Sequence, residues 1–90
     1  MNRRQENSAE NFLKVQIGNT VEVLLRPPYS HISFMGTLNE IKSDMTTILS
    51  NAEQVVLEKG EKEESQIRST RSLNETMIRG SYVLAVATKN

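Results

Sequence analysis

The stretch from Met77 to Ala87 constrains the chain more than any other. An apolar run ends at Ile78, and Arg79 and Gly80 make a tight corner. Tyr82, Leu84 and Val86 then alternate with Val83, Ala85 and Ala87. Alternation of β-branched and aromatic residues is the pattern of a strand, because successive side chains of extended backbone point to opposite faces. Both faces of this strand are apolar, so both are expected to be covered. Gly80 supplies the corner with a residue that tolerates positive φ.

The rest of the chain reads as short elements with turn residues between them. Residues 1–7 are polar and expected to be flexible. Ser8 is placed to cap a short N-terminal helix reaching about Ile17, with Phe12, Leu13 and Ile17 on one side and Gly18 as its stop. Such a helix is too short to stand alone and must lie on the body of the domain. Thr20 to Arg26 reads as the first strand, with Val21, Val23 and Leu25 on one face, and Pro27-Pro28 ends it. A second strand runs from about His31 to Ile41 and is interrupted by Gly36, which either bends it or admits another backbone. Met45 to Leu49 reads as a third strand, Ser50-Asn51 as a turn, and Ala52 to Glu58 as a fourth strand. The charged run Lys59 to Ser65 reads as a solvated loop, about 58–72 with its approaches, and from Ile67 to Ile78 the chain returns as an extended arm anchored by Ile67, Leu73, Met77 and Ile78. This order predicts a mainly all-β domain over residues 8–88, a small five-stranded antiparallel barrel with a short leading helix.

Ninety residues make one domain. With 37% hydrophobic and 4% aromatic residues, its core is modest, which favours a subunit stabilised by neighbours. Eleven basic side chains balance eleven acidic ones, so a protein that coats nucleic acid non-specifically is disfavoured while a local site is not. Without cysteine, disulfides and thiolate metal sites are excluded. No apolar run has the length of a membrane span, and the N-terminus lacks the apolar centre of a signal peptide, so an intracellular protein is expected. His31, the single histidine, follows a loop and reads as a surface residue. No nucleophile–base pair, phosphate-cradling glycine loop or usefully spaced carboxylate pair is present, so neither an enzyme nor a cofactor is expected.

Two motifs in order resemble those of the Sm and LSm (Sm-like) family of RNA-processing rings. The second motif of that family matches Ile78-Arg79-Gly80-Ser81. The first matches Val21-Glu22-Val23-Leu24-Leu25 as its leading strand and Gly36-Thr37-Leu38-Asn39-Glu40-Ile41 as its glycine strand, with Met45 at the methionine position. Lys42 stands at the family's aspartate position, Asp44 at a position that is often aromatic or histidine, and Thr46 at the asparagine position. The resemblance implies a strongly bent five-stranded, SH3-like Sm-fold barrel. It implies partner Sm/LSm subunits on edge strands at about 52–58, 72–78 and 81–87. It implies a role for the ring in splicing, as the core of a small nuclear ribonucleoprotein, or in mRNA decay, in the nucleus or cytoplasm. The charged excursion followed by Arg68-Ser69-Thr70-Arg71 resembles an LSm-type subunit of a eukaryotic heptameric ring, and the Pro27-Pro28-Tyr29 loop an Sm-type one; both stay open.

In this family two loops per subunit face the hole and read U-rich single-stranded RNA, such as a small nuclear RNA, by stacking and by hydrogen bonds to base edges. The resemblance therefore marks Lys42, Asp44, Thr46, Arg79 and Gly80 as RNA-binding. Arg79 can stack on a base and face phosphate, or serve as a corner residue held by a carboxylate. Gly80 would let backbone approach a nucleotide. Thr46 offers a single donor where asparagine offers an amide, and Asp44 has no π face and repels phosphate. Met45 reads as core; Tyr82 and Phe34 read as barrel core or interface. The alternative is a structural or adaptor barrel that completes an assembly, or binds a protein partner, without touching RNA.

Overall fold

The computed structural model describes residues 16–59 and 66–89. Five strands form one antiparallel sheet: β1 (Thr20–Leu25), β2 (Ile32–Ile41), β3 (Thr47–Lys59), β4 (Gln66–Ile78) and β5 (Val83–Thr88). Their spatial order is β4-β3-β2-β1-β5. β4 and β5 are therefore the two ends of an open sheet, and the closed barrel expected from the sequence is not formed. The reason lies in pairing: β5 bonds only to β1 and β4 only to β3, so each keeps a free edge.

The expected helix falls mostly on residues 8–15, outside the described residues. Its described end, Gln16 to Gly18, is a turn with Gly18 at φ 94°, and no α-helix occurs among the described residues. The Gly18 N–H donates to the Leu38 carbonyl at 2.8 Å, which ties the turn to β2.

The two strands read as 45–49 and 52–58 are one strand, β3, thirteen residues long. Ser50-Asn51 does not reverse the chain. Asn51, at φ 50°, keeps register with β4, but against β2 it and Ala52 stand opposite the single residue Gly36, between the Met35↔Glu53 and Thr37↔Ser50 pairs. Asparagine tolerates this left-handed conformation better than most residues, and an unpaired extra residue bends a strand and flips its facing. Leu49 and Ala52, three apart, are consequently both buried. A register shift between Leu38 and Glu40 does the same for Leu38 and Ile41 on β2. Gly36 lies where β2 crosses this bend: a Cβ there would sit 2.9 Å from the Cα of Ala52 and from the Ser50 carbonyl oxygen. Of its two sequence readings, the structure supports close approach of another backbone.

The core follows from this geometry. Val21, Val23 and Leu25 alternate inward from β1 and meet Leu38, Ile41, Leu49, Ala52, Ile78 and Val83. Burying each large aliphatic side chain contributes about 1.5–3 kcal/mol. Phe34 and Met45 pack against this cluster partly buried. β4 starts at Gln66, so the extended arm read from Ile67 to Ile78 is a strand, and residues 68–72 are not part of the charged loop set at about 58–72. Residues 52–58, expected to form an edge, are hydrogen-bonded to β2 on one side and β4 on the other. The free edges are β4, covering 72–78, and β5, covering most of 81–87. The second face of β5 is also uncovered, contrary to expectation: Val83 is buried, but Leu84 is 54% exposed, as is Met77 on β4 at 57%. His31 is exposed, and its carbonyl accepts the Leu57 N–H. Among the described residues no helix is long and apolar enough to cross a membrane.

Gly36→Ala is expected to destabilise the domain by about 1–3 kcal/mol, because neither approaching group is the flexible end of a side chain. Thermal unfolding checks this: a melting temperature at or above that of the natural chain would refute the close-approach reading.

Candidate functional site

The turn joining β2 to β3 is built by local hydrogen bonds. The Lys42 carbonyl accepts the Met45 N–H at 2.8 Å, and the Lys42 N–H donates to the Thr46 carbonyl at 2.9 Å. Met45 takes the left-handed conformation, φ 74°, that ends such a three-residue turn. A non-glycine residue there costs roughly 1–2 kcal/mol, set against the packing of its side chain on the core. Asp44 Oδ1 accepts the Thr46 N–H at 2.9 Å, an Asx turn that fixes the carboxylate at the tip. The Thr47 hydroxyl donates to the Met45 carbonyl at 2.9 Å, so this fully buried polar side chain is satisfied.

The corner between β4 and β5 meets this turn. Arg79 is extended, and Gly80 to Tyr82 form one 3-10 turn whose Tyr82 N–H donates to the Arg79 carbonyl at 2.9 Å. The Gly80 N–H donates to Thr46 Oγ1 at 3.0 Å, a buried bond across 34 residues of sequence. Gly80 does not have positive φ, so its expected conformational role is not the one it plays. A Cβ at Gly80 would overlap the Asp44 carbonyl group, so the missing side chain admits a neighbouring loop.

All five residues marked by the sequence line one cleft of about 630 Å³, together with Met77 and Ser81. Their roles differ. Lys42, Asp44 and Arg79 are exposed, whereas Thr46 is only 7% exposed and Gly80 is buried. Thr46 is thus a structural staple whose hydroxyl is occupied by Gly80. Among the described residues the ion pair found joins Lys89 to Glu22, 3.7 Å apart, so neither Lys42 nor Arg79 is held by a carboxylate there. The Thr46 N–H, then the Thr46 hydroxyl, hold the Asp44 carboxyl below its ordinary 3.8, with a smaller contribution from the Lys42 charge. The cleft therefore presents one anionic acceptor together with two cationic donors.

Sequence reasoning missed the neighbourhood beyond Arg79. Met77 and Arg79 also line an apolar groove of about 390 Å³ with Leu25, Tyr29, Phe34, Ile78 and Tyr82. Tyr29 and Tyr82 meet edge to face, ring centres 5.9 Å apart. Tyr82 is 47% exposed and not core. The Pro27-Pro28-Tyr29 sequence signalled a loop, but nothing in it announced a partner so far along the chain. Among the described residues no group of three or more His, Cys, Asp or Glu could hold a metal ion.

Solved structures of Sm proteins share the fold of this bent antiparallel sheet. The heptameric Sm protein of P. aerophilum superposes with a TM-score of 0.72 at 20% identity, over 92% of this chain and 95% of that one. The Sm protein of Pyrococcus abyssii, solved in complex with a uridine heptamer, gives 0.67 at 19% identity, over 89% and 96%. A chain of the CoA-bound NatC complex gives 0.61 at 21% identity, over 86% and 83%. These likenesses are of fold. No curated protein sequence matches the chain. Residues 11–88 match the LSM domain, and the chain belongs to that family of Sm and LSm proteins. Family members are structural proteins, not enzymes.

Thr46→Val keeps the shape of the side chain but strands the buried Gly80 N–H. It is expected to cost about 1–3 kcal/mol in denaturant unfolding, with Thr46→Ser restoring most of the loss. A Val variant as stable as the natural chain would remove the staple from the account. Asp44 contributes stability that is complete above its unfolded pKa and lost as pH falls through its lower folded value. The stability gap between the natural chain and Asp44→Ala is therefore expected to stay level from neutral pH down to about 4 and to shrink below it. A gap that instead grows in acid would contradict this.

Proposed function

We propose that this chain is a subunit of an Sm/LSm ring and that its cleft binds U-rich single-stranded RNA, as in pre-mRNA splicing or mRNA decay. The observation that carries the reading is the Gly80–Thr46 staple, which brings Lys42 and Arg79 to one cleft without carboxylate partners among the described residues. Two cations on a narrow rim suit a phosphodiester strand, and a guanidinium can stack on a base while facing phosphate. The Pyrococcus abyssii protein solved with a uridine heptamer supports this choice of ligand. The free edges of β4 and β5 are the surfaces proposed for neighbouring subunits. In this reading the chain is an LSm- or Sm-type member of a eukaryotic ring, acting in the nucleus or cytoplasm.

A second reading has its own observation. A chain of the NatC complex shares this fold, and the present cleft carries an exposed carboxylate, which repels phosphate. Here the chain is a structural component of a protein assembly that does not touch RNA.

Arg79→Ala in the assembled ring is expected to weaken binding of oligouridine by about tenfold, the worth of one charge-assisted hydrogen bond, with Arg79→Lys losing less. Fluorescence anisotropy measures it. Unchanged affinity would make Arg79 structural and remove this cleft as the RNA site. Recovery of the tagged chain with unrelated proteins and no RNA would favour the second reading.

A further inference from the structure

We propose that the cleft of this subunit selects a guanine base, with Asp44 reading its N1–H and 2-amino group while Lys42 and Arg79 face its O6 and N7. The inference rests on the RNA-binding reading and sharpens it from a U-rich strand to the one base this position takes.

The argument is an inventory of donors and acceptors. The Thr46 hydroxyl, which stands where a base edge would be read, already accepts from Gly80 and is buried. Four other polar side chains line the cleft: Lys42 and Arg79 only donate, Ser81 does either, and Asp44 only accepts. Asp44 Oδ1 has taken the Thr46 N–H at 2.9 Å and the Thr46 hydroxyl also bonds the carboxyl, which leaves about two of the roughly four acceptor sites of the carboxylate open. Its lowered pKa keeps the group ionised throughout the physiological range.

An ionised carboxylate cannot read uracil well. The pairing edge of uracil carries one N–H between two carbonyl oxygens, so a carboxylate that accepts the N–H sets its other oxygen against a carbonyl. Cytosine and adenine each offer one amino group beside a bare ring nitrogen. Guanine alone offers two N–H donors side by side, matched to the two oxygens of a carboxylate. Its O6 and N7 are the acceptors that arginine and lysine take up most readily. One residue type at Asp44 thus both disfavours uracil and favours guanine, in a cleft whose cations suit the remaining guanine atoms. In a mixed ring this subunit would occupy the place of a guanosine within or beside a uridine run.

The test uses the ring isolated with this chain in place. Binding of an oligouridine is compared by fluorescence anisotropy with a set in which one guanosine occupies each position in turn. One register is expected to bind about tenfold more tightly, the worth of a bidentate base contact. Inosine in that register, which lacks the 2-amino group, is expected to lose most of the gain. Asp44→Asn preserves the Asx turn but offers one acceptor and one donor, so it is expected to reverse the preference toward uridine. The inference is overturned if oligouridine binds and no guanosine register improves on it, or if inosine and Asp44→Asn leave the ratio unchanged. If no oligonucleotide binds an intact ring, the RNA-binding reading itself fails and the inference falls with it. The inosine comparison needs no protein variant, so poor folding of Asp44→Asn leaves the question decidable.

Discussion

The hydrogen bond from the Gly80 N–H to Thr46 Oγ1 holds the rest of the site in place. It is buried, and a buried donor without a partner costs far more than a surface one. By fixing the corner after β4 against the turn before β3, it sets where Arg79 leaves the backbone relative to Lys42 and Asp44. The same contact explains Gly80, since the approach it requires leaves no room for a Cβ beside the Asp44 carbonyl. Around this bond Asp44 is oriented by the Thr46 N–H and Met45 bears a strained φ, so a few residues carry most of the local constraint.

Much of this was legible in the sequence where local chemistry decided the outcome. Val21, Val23 and Leu25 alternate without interruption, and β1 is where the alternation placed it. Pro27-Pro28 marked its end, and the Ile78-Arg79-Gly80-Ser81 corner leads into β5 as read. Asp44-Met45-Thr46 also held a local signal for an Asx turn that a closer reading would have caught. What was not legible depended on distant partners. β4 was read as an extended arm from Ile67, but with few apolar residues and no clean alternation nothing in it announced β3, which supplies hydrogen bonds along its length. Ser50-Asn51 has turn chemistry, but pairing on both sides carries the chain through it as a bulge. The open sheet in place of a closed barrel follows from which strands lack a second partner, something no alternation pattern reports.

The site residues divide along the same line. Their gathering into one cleft agrees with the sequence, while their division of labour does not. Thr46 was read as RNA-binding, and its hydroxyl also accepts the Gly80 N–H; Gly80 was read as a positive-φ corner and as room for a nucleotide, and its missing Cβ makes room for the Asp44 carbonyl. The polar side chains of the cleft that reach solvent are Lys42, Asp44, Arg79 and Ser81.

The order β4-β3-β2-β1-β5 has a consequence for growth. The two edges are unlike, one ending a long hairpin and the other a strand of six residues. Joining one to the other is a directional, head-to-tail step, and such steps close into a circle only when the rotation per copy divides a full turn; otherwise they continue as a fibre. The sheet therefore has polarity, with a long edge at one end and a short one at the other.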